Sequence, residues 1–135
     1  MENNQIIVRN SVRCLSCNDH IVSESSHDFV TCKCGKVSTD GGRLYQRILG
    51  NPEDYKITTI SIPDTEESFK ENHEILRVEL TWGTYGKDGK SKYKLVKIYK
   101  LTTEHIEAIL LTQNLLNHTI NQVLINELKY RNGEL

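Results

Sequence analysis

The sequence predicts an α+β fold in which an N-terminal β module built around a metal site precedes a β-hairpin packed with two C-terminal helices. Three patterns predict it. All four cysteines of the 135-residue chain fall into two short pairs, Cys14-x2-Cys17 and Cys32-x-Cys34. From Leu76 to Trp82 apolar and polar residues alternate, the period of a half-buried strand. Beyond Thr102 apolar residues recur every three or four positions, the period of a helix face.

The cysteine pairs come first in the chain, between the β-prone runs Ile6-Ile7-Val8-Arg9 and Asp28-Phe29-Val30-Thr31. A Cys-x2-Cys turn lets two thiolates and nearby backbone N–H groups converge on one tetrahedral ion, and a second pair closes the shell. Cys32-Lys33-Cys34-Gly35 is shorter than the usual second turn, and Gly35 supplies the permissive backbone it needs. The expected ligands are Cys14, Cys17, Cys32 and Cys34 and the expected ion is Zn2+, giving a zinc-ribbon-like module over residues 1–56. Disulfides are the competing use of four cysteines. Met1-Glu2-Asn3-Asn4 lacks the basic start and apolar run of a secretory leader, so a reducing cytoplasm and metal binding are expected instead. A redox Cys-x2-Cys normally opens a helix, whereas Cys17 leads into the turn residues Asn18-Asp19. A module of this size buries too little apolar surface to fold unaided, so metal-binding free energy is expected to be its folding free energy.

Gly50-Asn51-Pro52-Glu53-Asp54 is dense in turn residues, and Asp64, Glu66, Glu67, Glu71 and Glu74 make the following stretch acidic. Residues 57–72 therefore read as an acidic linker, with a second module over 73–135. That module begins with the Leu76–Trp82 alternation, turns at Gly86-Lys87-Asp88-Gly89-Lys90, and returns through Tyr93 to Leu101 as a hairpin over about 75–101. Thr102 caps a first helix carrying His105, Ile106, Ile109 and Leu110, which fades at Gln113-Asn114. Asn117 caps a second carrying Ile120, Val123, Leu124 and Leu128, with Gly133 as its stop. The two are expected to form an antiparallel pair covering one face of the hairpin. A net charge of −1 supplies no global field toward nucleic acid or membrane, and no apolar run approaches the ~20 residues of a membrane span.

Two segments carry a resemblance. Arg13-Cys14 to Cys17, Ser26-His27-Asp28-Phe29-Val30-Thr31-Cys32-Lys33-Cys34-Gly35, Asp40-Gly41-Gly42, Tyr45, Arg47 and Asp54-Tyr55 together resemble a family of small uncharacterised proteins encoded by tailed phages and prophages. Trp82-Gly83-Thr84-Tyr85-Gly86-Lys87-Asp88-Gly89-Lys90, His105-Ile106-Glu107-Ala108-Ile109-Leu110 and Glu127-Leu128-Lys129-Tyr130-Arg131 are similar to a second segment common in small phage proteins. The resemblance implies phage origin and residence in the host cytoplasm, and it matches the short Cys-x-Cys pair. It brings no biochemical activity. Ser26 stands where members often carry arginine before His-Asp-Phe, which weakens an Arg-His-Asp catalytic group.

Outside the cysteines, His27, Asp28 and Asp40 are the residues that could serve as base and metal ligands in a small hydrolase or nuclease site. Their structural alternative is bracing turns and the metal shell, with Gly41-Gly42 forming a tight bend. His20 and His27 are the alternative ligands to a cysteine, and His73, His105 and His118 read as surface or helix-face residues. The hairpin carries Lys87, Lys90, Lys92, Lys94, Lys97 and Lys100 with Trp82, Tyr85, Tyr93 and Tyr99, a pattern that suits phosphate neutralisation and base stacking but also protects an edge strand. The leading expectation is a non-enzymatic phage accessory protein that binds a host or phage macromolecule, inhibiting a defence system or redirecting transcription. A nucleic-acid-binding module and a small metal-dependent hydrolase are the alternatives.

Overall fold

Even-numbered positions of strand β1 (Gln5–Cys14) face inward: Val8, Asn10, Val12 and Cys14 are all buried, so the last core residue of the strand is also the first cysteine. The protein is described by a computed structural model covering residues 4–86, 89–113 and 116–135, and it divides into two compact units, Met1–Pro63 and Asp64–Leu135.

In the first unit β1 pairs antiparallel with β2 (His20–Ser23), in the register Asn10↔Ser23 to Arg13↔His20. A second sheet runs β3 (Val30–Thr31), β4 (Ser38–Asp40), β5 (Arg47–Leu49). The chain then returns to β1 as β6 (Tyr55–Ile57), which puts Tyr55 opposite Cys14, and as β7 (Ile60–Pro63), which pairs with the start of β1. Register shifts between Ile7 and Arg9, so β6 and β7 share one partner strand across an irregularity. The core is small: Val12, Cys14, Ile21, Cys32 and Val37 are buried, flanked by Cys17, Val30, Ile48 and Tyr55. Two of its five members are thiols, and a third thiol flanks it.

The second unit opens with helix α1 (Glu66–Glu71), whose cap Thr65 accepts the Ser68 N–H at 3.0 Å, followed by α2 (His73–Glu79). Strand β8 (Thr81–Thr84) pairs antiparallel with β9 (Lys94–Lys97) from Thr81↔Lys97 to Thr84↔Lys94. A 3-10 turn at Ile98–Lys100 leads to α3 (Thr103–Thr112) and then α4 (His118–Arg131). Helix α4 packs against α1, α2 and α3, burying Ile120, Val123 and Leu124 where the periodicity expects them. Thr102 accepts the His105 N–H and Asn117 accepts those of Thr119 and Ile120, so both expected caps form. Gly133, at φ +72°, takes the left-handed conformation past the end of α4. Among the described residues no helix is long and apolar enough to cross a membrane.

Four expectations are corrected. Residues 75–79, expected as the start of the hairpin's outgoing arm, belong to helix α2, and strand pairing is confined to 81–84 and 94–97. The alternation Leu76, Val78, Leu80 misleads because a second spacing wins. Phe69, His73, Leu76 and Leu80, four, three and four apart, are each at most 1% exposed, while Val78 is 47% exposed. His73, expected as a surface or helix-face residue, accordingly lies on the buried face of α2. Residues 57–72 are not a bare connector, since they hold the end of β6, β7 and α1, and the division falls after Pro63. Strand structure after Tyr93 ends at Lys97, and the hydrogen bond from Leu101 N–H to the Ile98 carbonyl turns the chain instead. Of the expected turn, Lys87 and Asp88 lie outside the described residues, as does Asn114 of the expected Gln113-Asn114 helix end.

Candidate metal centre

Cys14 ends β1, and the turn after it closes when its N–H donates to the Asp19 carbonyl at 2.9 Å. That closure needs Asn18 in the left-handed region at φ +62°, a conformation asparagine tolerates better than most residues. The second pair is held by a matching turn: the Gly35 N–H donates to the Cys32 carbonyl at 3.0 Å, with Gly35 at φ +82°. Asp19 joins the two. Its carboxylate accepts the Lys33 N–H at 3.0 Å, so the residue that shapes the first turn also fixes the second.

These turns bring all four sulfurs within 4.8 Å of one another. Cys34 Sγ lies 3.6 Å from Cys14 Sγ and 3.6 Å from Cys32 Sγ, and all four thiols are free. Four sulfurs bound at ~2.3 Å around a tetrahedral ion stand ~3.8 Å apart, so the spacing fits such a shell with little adjustment. Cys14 and Cys32 are buried, Cys17 is half-buried and Cys34 is exposed, which leaves a path for a metal to enter.

The thiols do not ionise alike. The Asp19 and Cys34 backbone N–H groups pull Cys17 below the ordinary thiol range against its burial. Burial opposes charge on Cys32, yet the Val37 N–H at 3.4 Å and the neighbouring thiols bring it down to about 6. At Cys34 the Lys36 N–H favours the thiolate, but desolvation and three neighbouring sulfurs outweigh it and push the group up to about 11. Crowded thiols hold some negative charge and resist more, the condition a bound cation relieves.

Asn10, fully buried on β1 four residues before Cys14, carries no motif that marks it in the sequence. Its Nδ2 donates to the carbonyls of Asp40, Gly42 and Tyr45 at 2.9, 2.9 and 3.0 Å, and its Oδ1 accepts from Thr39 Oγ1 at 2.7 Å and Gln46 Nε2 at 2.9 Å. One side chain thus pins the Asp40–Tyr45 bend onto β1. Gly41-Gly42 makes the tight bend expected of it: a Cβ at Gly42, φ +56°, would stand 2.4 Å from the Ser25 carbonyl carbon.

The other candidates have separate duties. Asp28 Oδ2 accepts the Glu24 N–H at 2.9 Å and closes the 24–28 loop. Asp40 Oδ2 accepts from Arg47 Nη2 at 2.6 Å, while its Oδ1 is buried without a partner among the described residues. His27 is exposed, and His20 Nε2 is 2.8 Å from Thr58 Oγ1. Among the described residues the four cysteines are the group of histidines, cysteines and carboxylates placed to share an ion, and His20, His27, Asp28 and Asp40 are not part of it. In the second unit Lys90, Lys92 and Lys94 are exposed and Lys97 Nζ donates to the Glu79 carbonyl at 3.2 Å, while Lys87 lies outside the described residues. Trp82 is half-buried and Tyr85 exposed.

No curated protein and no solved structure matches the chain. A family model described as a domain of unknown function (DUF7695) matches residues 6–50, and the chain is therefore similar to that family over the span that holds Asn10 and all four cysteines.

Proposed function

We propose that this chain is a non-enzymatic binding module whose first unit is a zinc-ribbon-like fold organised by Zn2+ on Cys14, Cys17, Cys32 and Cys34. One observation carries the reading: four free thiols converge within 4.8 Å of one another, two of the pairs at 3.6 Å, close to the separation a tetrahedral shell requires. A shell of four thiolates leaves no open position for water or substrate, so the ion supplies folding energy rather than Lewis-acid chemistry. Asp28 and Asp40 support the same view, since each is already bonded to its own loop or strand neighbour. In this reading the protein is a phage or prophage accessory factor that acts in the host cytoplasm on a host or phage macromolecule, inhibiting a defence system or modulating transcription.

The test has two arms. Full-length protein purified under reducing conditions is expected to carry one Zn2+ per chain, and Cys14→Ser to lose it. Tagged protein expressed in an infected host is expected to retain a specific macromolecule through washing. Isolation of a metal-free folded protein would remove the zinc reading; activity on a phosphodiester or peptide substrate that His27→Ala abolishes would remove the non-enzymatic one.

A further inference from the structure

The second unit contains an open groove of about 310 Å³ between α3 and the β8 arm of the hairpin, lined among others by Trp82, Thr84, Tyr85, His105, Ala108 and Gln113. None of its described lining residues is acidic. Strand register decides what stands beside it. Directly opposed residues of an antiparallel pair share a face, and Thr84 faces Lys94 while Trp82 faces Val96. Lys94, which is exposed, therefore lies on the face of the hairpin that carries Trp82 and Thr84. The groove thus combines aromatic surface at Trp82 and Tyr85, polar groups at Thr84, His105 and Gln113, and a cation at its strand edge. Its volume is at the small end of the roughly 300–1,000 Å³ of small-molecule sites, enough for one flat ring system.

We infer that this groove holds a base of single-stranded nucleic acid, with the adjoining phosphate neutralised by Lys94. The inference rests on the binding-module reading above and names its partner class. Stacking on an aromatic face tolerates any base, and a paired base is not available to enter a groove of this kind, so single strands are preferred over duplex. A chain of net charge −1 has no general attraction for polyanions, so contact depends on the local lysines and is strongly weakened by salt.

Trp82 is the chain's single tryptophan, which makes its fluorescence a direct reporter of the groove. Zinc-loaded, full-length protein is titrated with single-stranded oligothymidylate at low salt, with a duplex of the same length as comparison. Saturable quenching by the single strand is expected, with at least about tenfold weaker quenching by duplex. Ala108 is exposed on α3, so Ala108→Phe fills the groove without entering the core, and it is expected to weaken binding about tenfold or more. Lys94→Glu is expected to lower the slope of log affinity against log salt by about one or more. Lys56→Glu, in the first unit, leaves both unchanged. Absence of quenching at low salt overturns the inference, as does binding that Ala108→Phe leaves intact or equal affinity for duplex. Failure here with one Zn2+ and a protein partner retained would leave the binding-module reading standing, so the two fail separately.

Discussion

Replacing Glu127 by glutamine is expected to destabilise the second unit by about 3 kcal/mol and to erase most of its acid sensitivity. Glu127 is fully buried on α4 and its carboxylate accepts four hydrogen bonds from three bases. Oε1 receives Arg77 Nε and His73 Nε2, each at 2.8 Å; Oε2 receives Arg77 Nη2 at 2.9 Å and Arg131 Nε at 2.8 Å. Arg77 also stacks on Tyr130 at 4.5 Å, and Arg131 reaches the Leu101 carbonyl at 2.7 Å, so one carboxylate ties α2, α4 and the turn before α3 together. Burial opposes its ionisation, but the bonds from Arg77, Arg131 and His73 win and hold it down at about 2, from an ordinary 4.5. That depression corresponds to about 3 kcal/mol. Leaving two arginines without their buried counter-charge costs about 3–5 kcal/mol by an independent route, and the lower end applies because both guanidiniums retain some solvent. The sign follows from a lowered folded-state value: the contribution is whole above pH 4.5 and is lost as pH falls from there toward 2. Burial lowers His73 below 6.5, so it too stabilises above that pH and adds to the loss below it. Trp82 belongs to this unit, so its fluorescence in urea titrations from about pH 7 to pH 3 follows the second unit even while acid releases metal from the first. A Glu127→Gln variant with the parent's unfolding midpoint, or with the parent's pH dependence below 4.5, would refute the reasoning.

Two further substitution pairs probe the fold by the same urea assay, read by circular dichroism for the first unit. Leu76→Ala is expected to cost about 2–5 kcal/mol and Val78→Ala less than about 0.5, because α2 buries the first and exposes the second; equal costs would restore the strand reading of this segment. Gly42→Ala is expected to cost more than about 1 kcal/mol, since its Cβ would meet the Ser25 backbone at a positive φ. Gly133→Ala, equally positive in φ but with open space around it, is expected to cost about 1 kcal/mol or less, and a reversal of that order would contradict the geometry of the Asp40–Tyr45 bend.

What the sequence made legible was local chemistry. The cysteine pairs carry their spacing on the page, and Thr102 and Asn117 act as caps because a side-chain oxygen at that position has one job to do. What it hid depends on distant residues. The alternation at Leu76–Leu80 fits a strand by itself; only the partners of α4 select the face shared by Phe69, His73 and Leu76. Asn10 looks like any polar residue in a β-prone run until the Asp40–Tyr45 bend, thirty residues on, brings it three carbonyls. Glu127 reads as a helix-surface acid because its three partners, His73, Arg77 and Arg131, are split between α2 and α4. The role of Asp19 is more readable: an acid directly after a cysteine turn is well placed to accept a backbone N–H from the opposing turn.

The most direct test of the metal-folded first unit is native mass spectrometry joined to amide NMR of the reduced full-length chain, before and after chelation. One Zn2+ per chain is expected, and its removal should collapse the dispersed signals of residues 5–63 while the signals of the second unit persist. A reduced chain that binds no zinc, or one whose first-unit signals survive chelation unchanged, would contradict the account.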